Sequence, residues 1–335
     1  MSGSLLITSP QGLYCPDGDF HIDPHGPVDR AIISHGHSDH ARKVAKKYLT
    51  HTDSAGILRI RLGRNISIST LDYGEPLTIN GVKVTLYPAG HLLGSSQVCC
   101  EYKGRITVFT GDFGTTKNIT CEPFQPVKCD TFIPESTFGL PIYEWDDPEM
   151  VYNEINEWWK NNRDSGLASV LFCYSLGKAQ RLLAALDTSI APIIVHNSVQ
   201  QMNKCYIDAG INLPETLSDW DKPGKPADEG AIILAPLSAL SGEWRTFPGN
   251  YSTGFASGWM LIKKMRKFGD IDRGFVLSDH ADWSGLLNAV KETGAERVYP
   301  THGFTKVFSK YLSEIGYDSS PLETTFSGDE MNGES

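Results

Sequence analysis

Between residues 35 and 40 the chain reads His35-Gly36-His37-Ser38-Asp39-His40, which places three imidazoles and a carboxylate within six positions. Neutral imidazole and carboxylate are the ligands that Zn²⁺ and Mn²⁺ take. The run follows the apolar segment Ala31-Ile32-Ile33, so it reads as a strand opening into a tight loop. Neighbours in such a loop can serve different ions, His35 and His37 facing one, Asp39 and His40 a second. A pair of nearby divalent ions lowers the pKa of a water held between them and clamps a phosphoryl or carbonyl oxygen, which is the chemistry of hydrolysis.

Residues able to complete such a site recur downstream. His91 follows Pro88-Ala89-Gly90, and Asp112 sits in Phe109-Thr110-Gly111-Asp112-Phe113. Glu135 ends the run Thr131-Phe132-Ile133-Pro134, and His280 and His302 lie close to the C-terminus. Each falls where an apolar strand gives way to a loop, a placement from which core stability gains nothing. His21, His25, His51 and His196 lack that context and are expected to be structural or superficial.

The elements that must position these residues are legible in part. Up to about 140 the chain reads as short strands and turns: 67–71, 77–79, 82–87, 98–102 and 105–110. Asn80-Gly81 and Lys103-Gly104 mark hairpins. Helices are predicted over 41–47 and 54–62. At Asp147-Pro148-Glu149 a helix begins, with Pro in its first turn and acids at its positive end, and it runs to about 161. Strand and helix then alternate: strands 168–174, 192–196 and 231–235, helices 178–186 and 198–209. This βαβ pattern calls for a parallel sheet. Residues 212–230 read as a surface connection, 258–268 as a basic helix, and the remainder as short strands and loops. The expected organisation is a metal domain over 1–145 and 257–326, an insert over 146–256 and a disordered tail over 327–335.

Composition narrows the function classes. The 335 residues are 40% hydrophobic, with no apolar run long enough to span a bilayer and no charged leader before an apolar segment. No membrane partner is expected. Seven cysteines without a Cys-x-x-Cys spacing suit reduced thiols of a cytoplasmic protein. The net charge of −10 argues mildly against a nucleic-acid partner. Basic residues nevertheless cluster at Arg42, Lys43, Lys46 and Lys47, at Arg59, Arg61 and Arg64, and at Lys263, Lys264, Arg266 and Lys267.

The order His-x-His-x-Asp-His, then His91, Asp112 and a late histidine, resembles the metallo-β-lactamase superfamily. The resemblance implies an α/β fold, the αβ/βα sandwich, with the metal site at one edge. Pro134-Glu135-Ser136-Thr137-Phe138-Gly139, Ser175-Leu176-Gly177-Lys178-Ala179-Gln180 and Ser278-Asp279-His280 resemble the β-CASP branch of nucleic-acid hydrolases, so the insert would be a βαβ β-CASP-type domain. Gly12-Leu13-Tyr14-Cys15-Pro16 and Asp23-Pro24 look most like the bacterial DNA-ligase-associated exonucleases.

Carried over, the resemblance gives His35, His37, His91 and Asp112 to a first divalent ion. Asp39, His40, Asp112 and His302 go to a second, with Asp112 bridging. It implies a nucleophilic water between the ions. His280 would contact the scissile phosphate and protonate the leaving oxygen, with Glu135 orienting it; metal ligation is the alternative for His280. Asp39, His280 and Glu135 are thus the expected catalytic residues. Gly177 and Lys178 at a helix start, with Arg42 and Lys43 beyond the metal loop, are candidate phosphate contacts.

The expected activity is hydrolysis of nucleic-acid strands, as a DNA exonuclease in repair working with a DNA ligase and helicase. An RNA-processing nuclease is the alternative, favoured by His302, since in the family DNA-directed members often lack a histidine at the last motif while RNA-directed members have one. A small-molecule hydrolase is disfavoured by the 168 positions separating Asp112 from His280. A non-catalytic scaffold is disfavoured because every ligand is retained.

Overall fold

Period-two alternation of apolar residues builds two sheets with opposite faces committed to different cores. The structure is a computed structural model that describes residues 4–217, 230–241, 250–263 and 271–322. Its contacts divide the chain into two units, Met1–Glu144 with His280–Gly333, and Trp145–Asp279.

In the first unit, one sheet has strands β1 (Ile7–Ser9), β2 (Gly12–Cys15), β3 (Phe20–Ile22), β4 (Val28–Ile32), β5 (Ala45–His51) and β6 (Ile68–Leu71), in that order. Helix α1 (Ser54–Leu62) lies between β5 and β6 in the chain. The second sheet begins with β7 (Pro76–Ile79), β8 (Val82–Pro88), β9 (Ser96–Tyr102), β10 (Arg105–Phe109) and β11 (Thr131–Ile133). A separate two-stranded ladder starts at β12 (Glu135–Ser136).

The second unit contains α2 (Pro148–Asp164), β13 (Ala168–Phe172), α3 (Lys178–Leu183), β14 (Ile193–Val195), α4 (Asn197–Asp208), β15 (Ile232–Ala235), β16 (Tyr251–Ala256), α5 (Met260–Lys263) and β17 (Arg273–Phe275). The chain then returns to the first unit through α6 (Trp283–Thr293), β18 (Arg297–Val298), β19 (Thr301–Gly303), α7 (Thr305–Glu314) and β20 (Asp318–Ser319). β18 and β20 join the second sheet beside β11, and β19 pairs with β12.

The four layers follow from burial. Ile32 and Leu49 of the first sheet share one core with Val84, Val98, Phe109 and Ile133 of the second, so the sheets pack face to face. Ala31 and Tyr48 turn the other way, onto Leu58 and Leu62 of α1. On the far side, Cys99, Val108, Phe132 and Val298 meet Leu286 and Val290 of α6 and Phe308 and Leu312 of α7. This is the αβ/βα sandwich. The second unit is a parallel sheet ordered β14-β15-β13-β16-β17. It is apolar on both faces, with Leu171 and Leu234 in one core and Val170 and Ile233 in the other. That explains why its strands read as continuous hydrophobic runs.

Several sequence-based expectations are corrected. Residues 41–47 do not form a helix: the loop after His40 leads into β5, whose register against β4 and β6 is parallel. Burying Tyr48 and Leu49 on opposite sheet faces decides this against helix propensity. β17 pairs with β16, and the contact division between the units falls at Asp279 and His280. Two helices, α6 and α7, occupy the segment read as strands and loops. The Asp282 side chain accepts from Gly285 N–H to start α6, and Gly294 ends it at φ +67°. The expected tail 327–335, most of 212–230, and Lys264, Arg266 and Lys267 lie outside the described residues. Among the described residues no helix is long and apolar enough to cross a membrane.

The second unit holds a buried charge cluster. Arg181 Nη1 donates to Ser278 O at 2.7 Å and to Asp279 Oδ1 at 2.9 Å, and its Nε donates to Tyr152 OH at 2.8 Å. Lys178 Nζ lies 3.0 Å from Asp279 Oδ2. Removing one partner of a buried pair costs ~3–5 kcal/mol. Asp279→Ala, which strands two cations, should lower unfolding stability by that order in a urea titration. A loss below ~1 kcal/mol, the range of exposed pairs, would show the carboxylate is not needed there.

All seven cysteines are free, and four are buried. Burial pushes the Cys99 and Cys173 thiols up to about 12. At about pH 8 the thiolate fraction is then ~10⁻⁴. Neither should react with iodoacetamide in the native protein, and both should react in denaturant; peptide mapping of the alkylated protein checks this.

Candidate metal centre

All the metal-ligand residues expected from the sequence come together in the first unit. The loop after β4 delivers Ser34 to His40, the loop after β8 delivers His91, and Asp112 stands three residues past the end of β10. Glu135 lies in β12, and His302 in β19 beside it, held at φ +56°. Ser136 Oγ fixes that turn by donating to His302 O at 2.6 Å. Gly111, at φ +56°, lets its loop pass Ser34, whose Cβ would stand 2.6 Å from any side chain added there.

Asp112 is the hub. Its Oδ2 lies 3.4 Å from His35 Nε2 and 3.8 Å from His91 Nε2, while its Oδ1 lies 3.2 Å from His40 Nε2. His91 Nε2 and His37 Nδ1 are 3.1 Å apart. Two compact donor sets result: His35, His37, His91 and Asp112, and Asp39, His40 and Asp112, the atoms of each within 4.8 Å of one another. A third set joins Asp112 to Glu135 and His280. His302 stacks on His40 with ring centroids 5.1 Å apart but falls outside those tight sets. Asp39 is the most exposed member of the second set, its side chain 20% accessible.

The electrostatics favour a cation. Burial, reinforced by His40, holds His35 well below the ordinary imidazole value, so it is in the neutral, ligating form. Burial alone would also depress His40, but Asp112 and Asp39 overcome it and raise His40 well above that value. Burial would raise Asp112, yet the charges of His40 and His35 hold it well below the usual carboxylate range. The carboxylates therefore draw positive charge into the site, carried here by the proton on His40. His35 Nε2 is fully buried without a well-aligned hydrogen bond. Such an atom costs ~1–3 kcal/mol unless something ligates it. The donor set, the buried nitrogen and the demand for charge all fit divalent metal ions.

Sequence reasoning missed the supports of these ligands. Asp23, fully buried, accepts from Ser34 N–H at 2.8 Å and Ser34 Oγ–H at 2.5 Å, and lies 2.8 Å from His40 Nδ1. Ser34 Oγ is also 3.1 Å from His35 Nδ1. The Asp23-Pro24 pair was visible only as part of a resemblance. Outer partners of this kind set tautomer and ring orientation, and losing them costs ~10–100-fold in metal affinity. Asp23→Ala should weaken metal binding by that factor in a competition titration with a chelating dye, and an unchanged affinity would remove Asp23 from the site.

The expected catalytic pair is built. His280 Nδ1 lies 2.7 Å from Glu135 Oε1. Glu135 also accepts from Phe113 N–H at 2.8 Å and Thr137 N–H at 3.3 Å, which holds the carboxyl group in place. The ring of His280 is 4.7 Å from that of His91.

The phosphate-contact expectations divide. Arg42 is half-buried and Lys43 exposed in the loop after His40. Gly177 and Lys178 do not present a phosphate site: Gly177 N–H is taken by Gln180 Oε1 at 2.8 Å, and Lys178 is buried against Asp279. The ammonium is committed because a buried cation requires a counter-charge. The remaining histidines are structural. His21 packs against the Tyr14 ring, His25 bonds Pro10 O, His51 stacks on Tyr73, and His196 caps α4.

No family model matches the chain. A protein named Probable DNA ligase from Opitutus terrae is 32% identical over 311 residues, covering 92% of this chain and 30% of that protein. An RNase J-like protein from Methanocaldococcus jannaschii is 26% identical over 311 residues, 82% of this chain and 71% of its own length. Endoribonuclease YSH1 from Yarrowia lipolytica is 28% identical over 201 residues, 48% of this chain and 23% of its own length. The chain thus spans under a third of the Opitutus protein and about a quarter of the Yarrowia one. A crystal structure of a protein of unknown function from Enterococcus faecalis superposes with TM-score 0.60 at 13% identity, over 90% of this chain and 82% of the other. That match speaks to the fold alone. The sandwich, the ordered His and Asp donor sets and these relatives make the chain a member of the metallo-β-lactamase superfamily, in its β-CASP branch.

Proposed function

We propose that the chain is a two-metal phosphodiesterase that hydrolyses nucleic-acid strands, and within that class a DNA exonuclease of repair. The observation carrying this reading is the division of Asp112, one oxygen toward His35 and His91, the other toward His40. His35, His37, His91 and Asp112 would hold one ion; Asp39, His40 and Asp112, with His302 alongside, would hold the second. Bound Zn²⁺ or Mn²⁺ would supply Lewis acidity and an activated water at the phosphodiester. The chain's own groups do the rest. Asp23 holds the His40 ring by Nδ1, so Nε2 faces the carboxylates. Glu135 accepts a hydrogen bond from Nδ1–H of His280, which orients the ring. Nε2–H of His280 then donates a proton to the departing oxygen.

The name of the Opitutus relative, a probable DNA ligase matched across nearly all of this chain, supports DNA as substrate and action beside a ligase. RNA is the second reading, supported by the relatives named endoribonuclease and RNase J-like protein and by His302. The deciding experiment is cleavage of end-labelled single-stranded DNA and matched RNA with Mn²⁺ or Zn²⁺ added. Stepwise shortening of DNA is expected. RNA cut with DNA untouched would replace the DNA reading, and no cleavage of either would overturn the nuclease.

A further inference from the structure

Between Arg42 and Arg64 the chain carries seven Lys and Arg residues against one acid, Asp53, although overall it carries 30 basic residues against 40 acidic. The fold sorts these cations. Lys46 forms a 2.6 Å pair with Asp29, and is thereby neutralised. Lys47 neighbours Arg30 across the β4–β5 ladder and, by strand alternation, lies on the opposite sheet face from Lys46 and Tyr48. Of the remaining five, Lys43, Arg59 and Arg64 come from two separate sequence clusters and meet in one place, while Arg42 and Arg61 are half-buried.

They meet because Tyr48, Leu58, Leu62 and Ala41 form a small core that packs the C-terminal half of α1 onto the loop after His40. Tyr48 OH clasps that loop, donating to Arg42 O at 3.0 Å and accepting from Ala45 N–H at 2.9 Å. Lys43 Nζ consequently reaches Gly63, lying 3.4 Å from where a Cβ would stand at that helix end. Arg59 Nη1 reaches Arg64 O at 3.4 Å from the same turn. Asp53, the acid of this stretch, stands at the other end of α1, across its nine residues. Lys43, Arg59 and Arg64 are exposed, and none forms an ion pair among the described residues.

Cations at a helix C-terminus are stabilised by the helix dipole, which accounts for one or two of them. It does not account for three exposed cations from two sequence clusters gathered beside the metal loop in an acidic protein. We propose that this face, from Arg42 and Lys43 across the end of α1 to Arg59 and Arg64, is a sequence-independent contact surface for the phosphate backbone of the strand being degraded, outside the scissile position. The proposal rests on the nuclease reading. A polyphosphate backbone suits it because long, exposed cations without buried counter-charges neutralise phosphates without reading bases.

The test uses the full-length chain carrying Arg59→Glu and Arg64→Glu, with Arg59→Gln and Arg64→Gln as a second, milder pair. Affinity for an oligothymidylate is measured against salt in a His280→Ala background, which slows cleavage. Turnover of bis(p-nitrophenyl) phosphate, too small to reach this face, is measured with His280 intact. The expected result is strand affinity at least ~10-fold weaker at low salt and a log–log salt slope smaller by ~1.4, about 0.7 for each single-strand phosphate that is no longer neutralised. Turnover of the small diester should be unchanged. An unchanged slope with strand cleavage intact in the parent protein would overturn the surface and leave the nuclease standing. A parent protein that neither binds nor cuts nucleic acid would overturn both. A fall in small-diester turnover matching the fall in strand affinity would also overturn the surface, since the effect would then lie at the metal centre.

Discussion

Asp112→Ala should leave the protein folded, free of both ions and without hydrolytic activity. Each of the two tight donor sets includes Asp112, through different oxygens, so one substitution removes a ligand from both. The second site would be reduced to Asp39 and His40 with His302 alongside, and the first to three neutral imidazoles, each without the carboxylate that would link the ions and offset their charge. The same carboxylate also sustains the charge on His40; without it, burial should depress that imidazole. Metal analysis of the purified variant by mass spectrometry, beside Asp112→Asn and the parent, reads the result directly. Asn keeps the shape but has a single oxygen able to ligate, so it should retain one ion at most. Full occupancy in Asp112→Ala would mean that the residue does not bridge, and the two-metal reading would fall with it.

His280→Ala should behave differently: metal content unchanged, turnover lower by ~10²–10⁴, the range for loss of a general acid. The argument is geometric. Glu135 engages Nδ1 of His280 at 2.7 Å and is itself fixed by two backbone N–H groups, an arrangement for steering a proton rather than for ligation. Glu135→Gln keeps the shape, removes the carboxylate charge and should therefore lower kcat while moving KM little. Loss of an ion from His280→Ala would instead assign His280 to the metal, as its membership of a third donor set with Asp112 and Glu135 allows.

The sequence by itself determined the histidine and carboxylate donors that the fold gathers, the hairpins and the parallel character of the insert. It could do so because ligand identity is a matter of residue type and close spacing: His35 to His40 are six consecutive positions, and Asn80-Gly81 or Gly111-Asp112 announce their turns locally. It misjudged 41–47, where a helix-like basic run is overruled by burial of Tyr48 and Leu49 between neighbouring strands. It passed over α6, although its caps were written in Asp282 and Gly294, and α7, which has no side-chain cap; the apolar faces of both are legible only against Val108 and Phe132. It took Lys178 for a surface contact, because nothing local shows that Asp279, far along the chain, closes over it.

Only the tertiary structure decided that Asp23 stands behind His40, that Asp112 points one oxygen at each donor set, and that Arg59 and Arg64 lie beside Lys43. The physical reason is common to all three. Each depends on pairing between segments distant in the chain, where strand register and core burial choose the neighbour and local propensity carries no information about it.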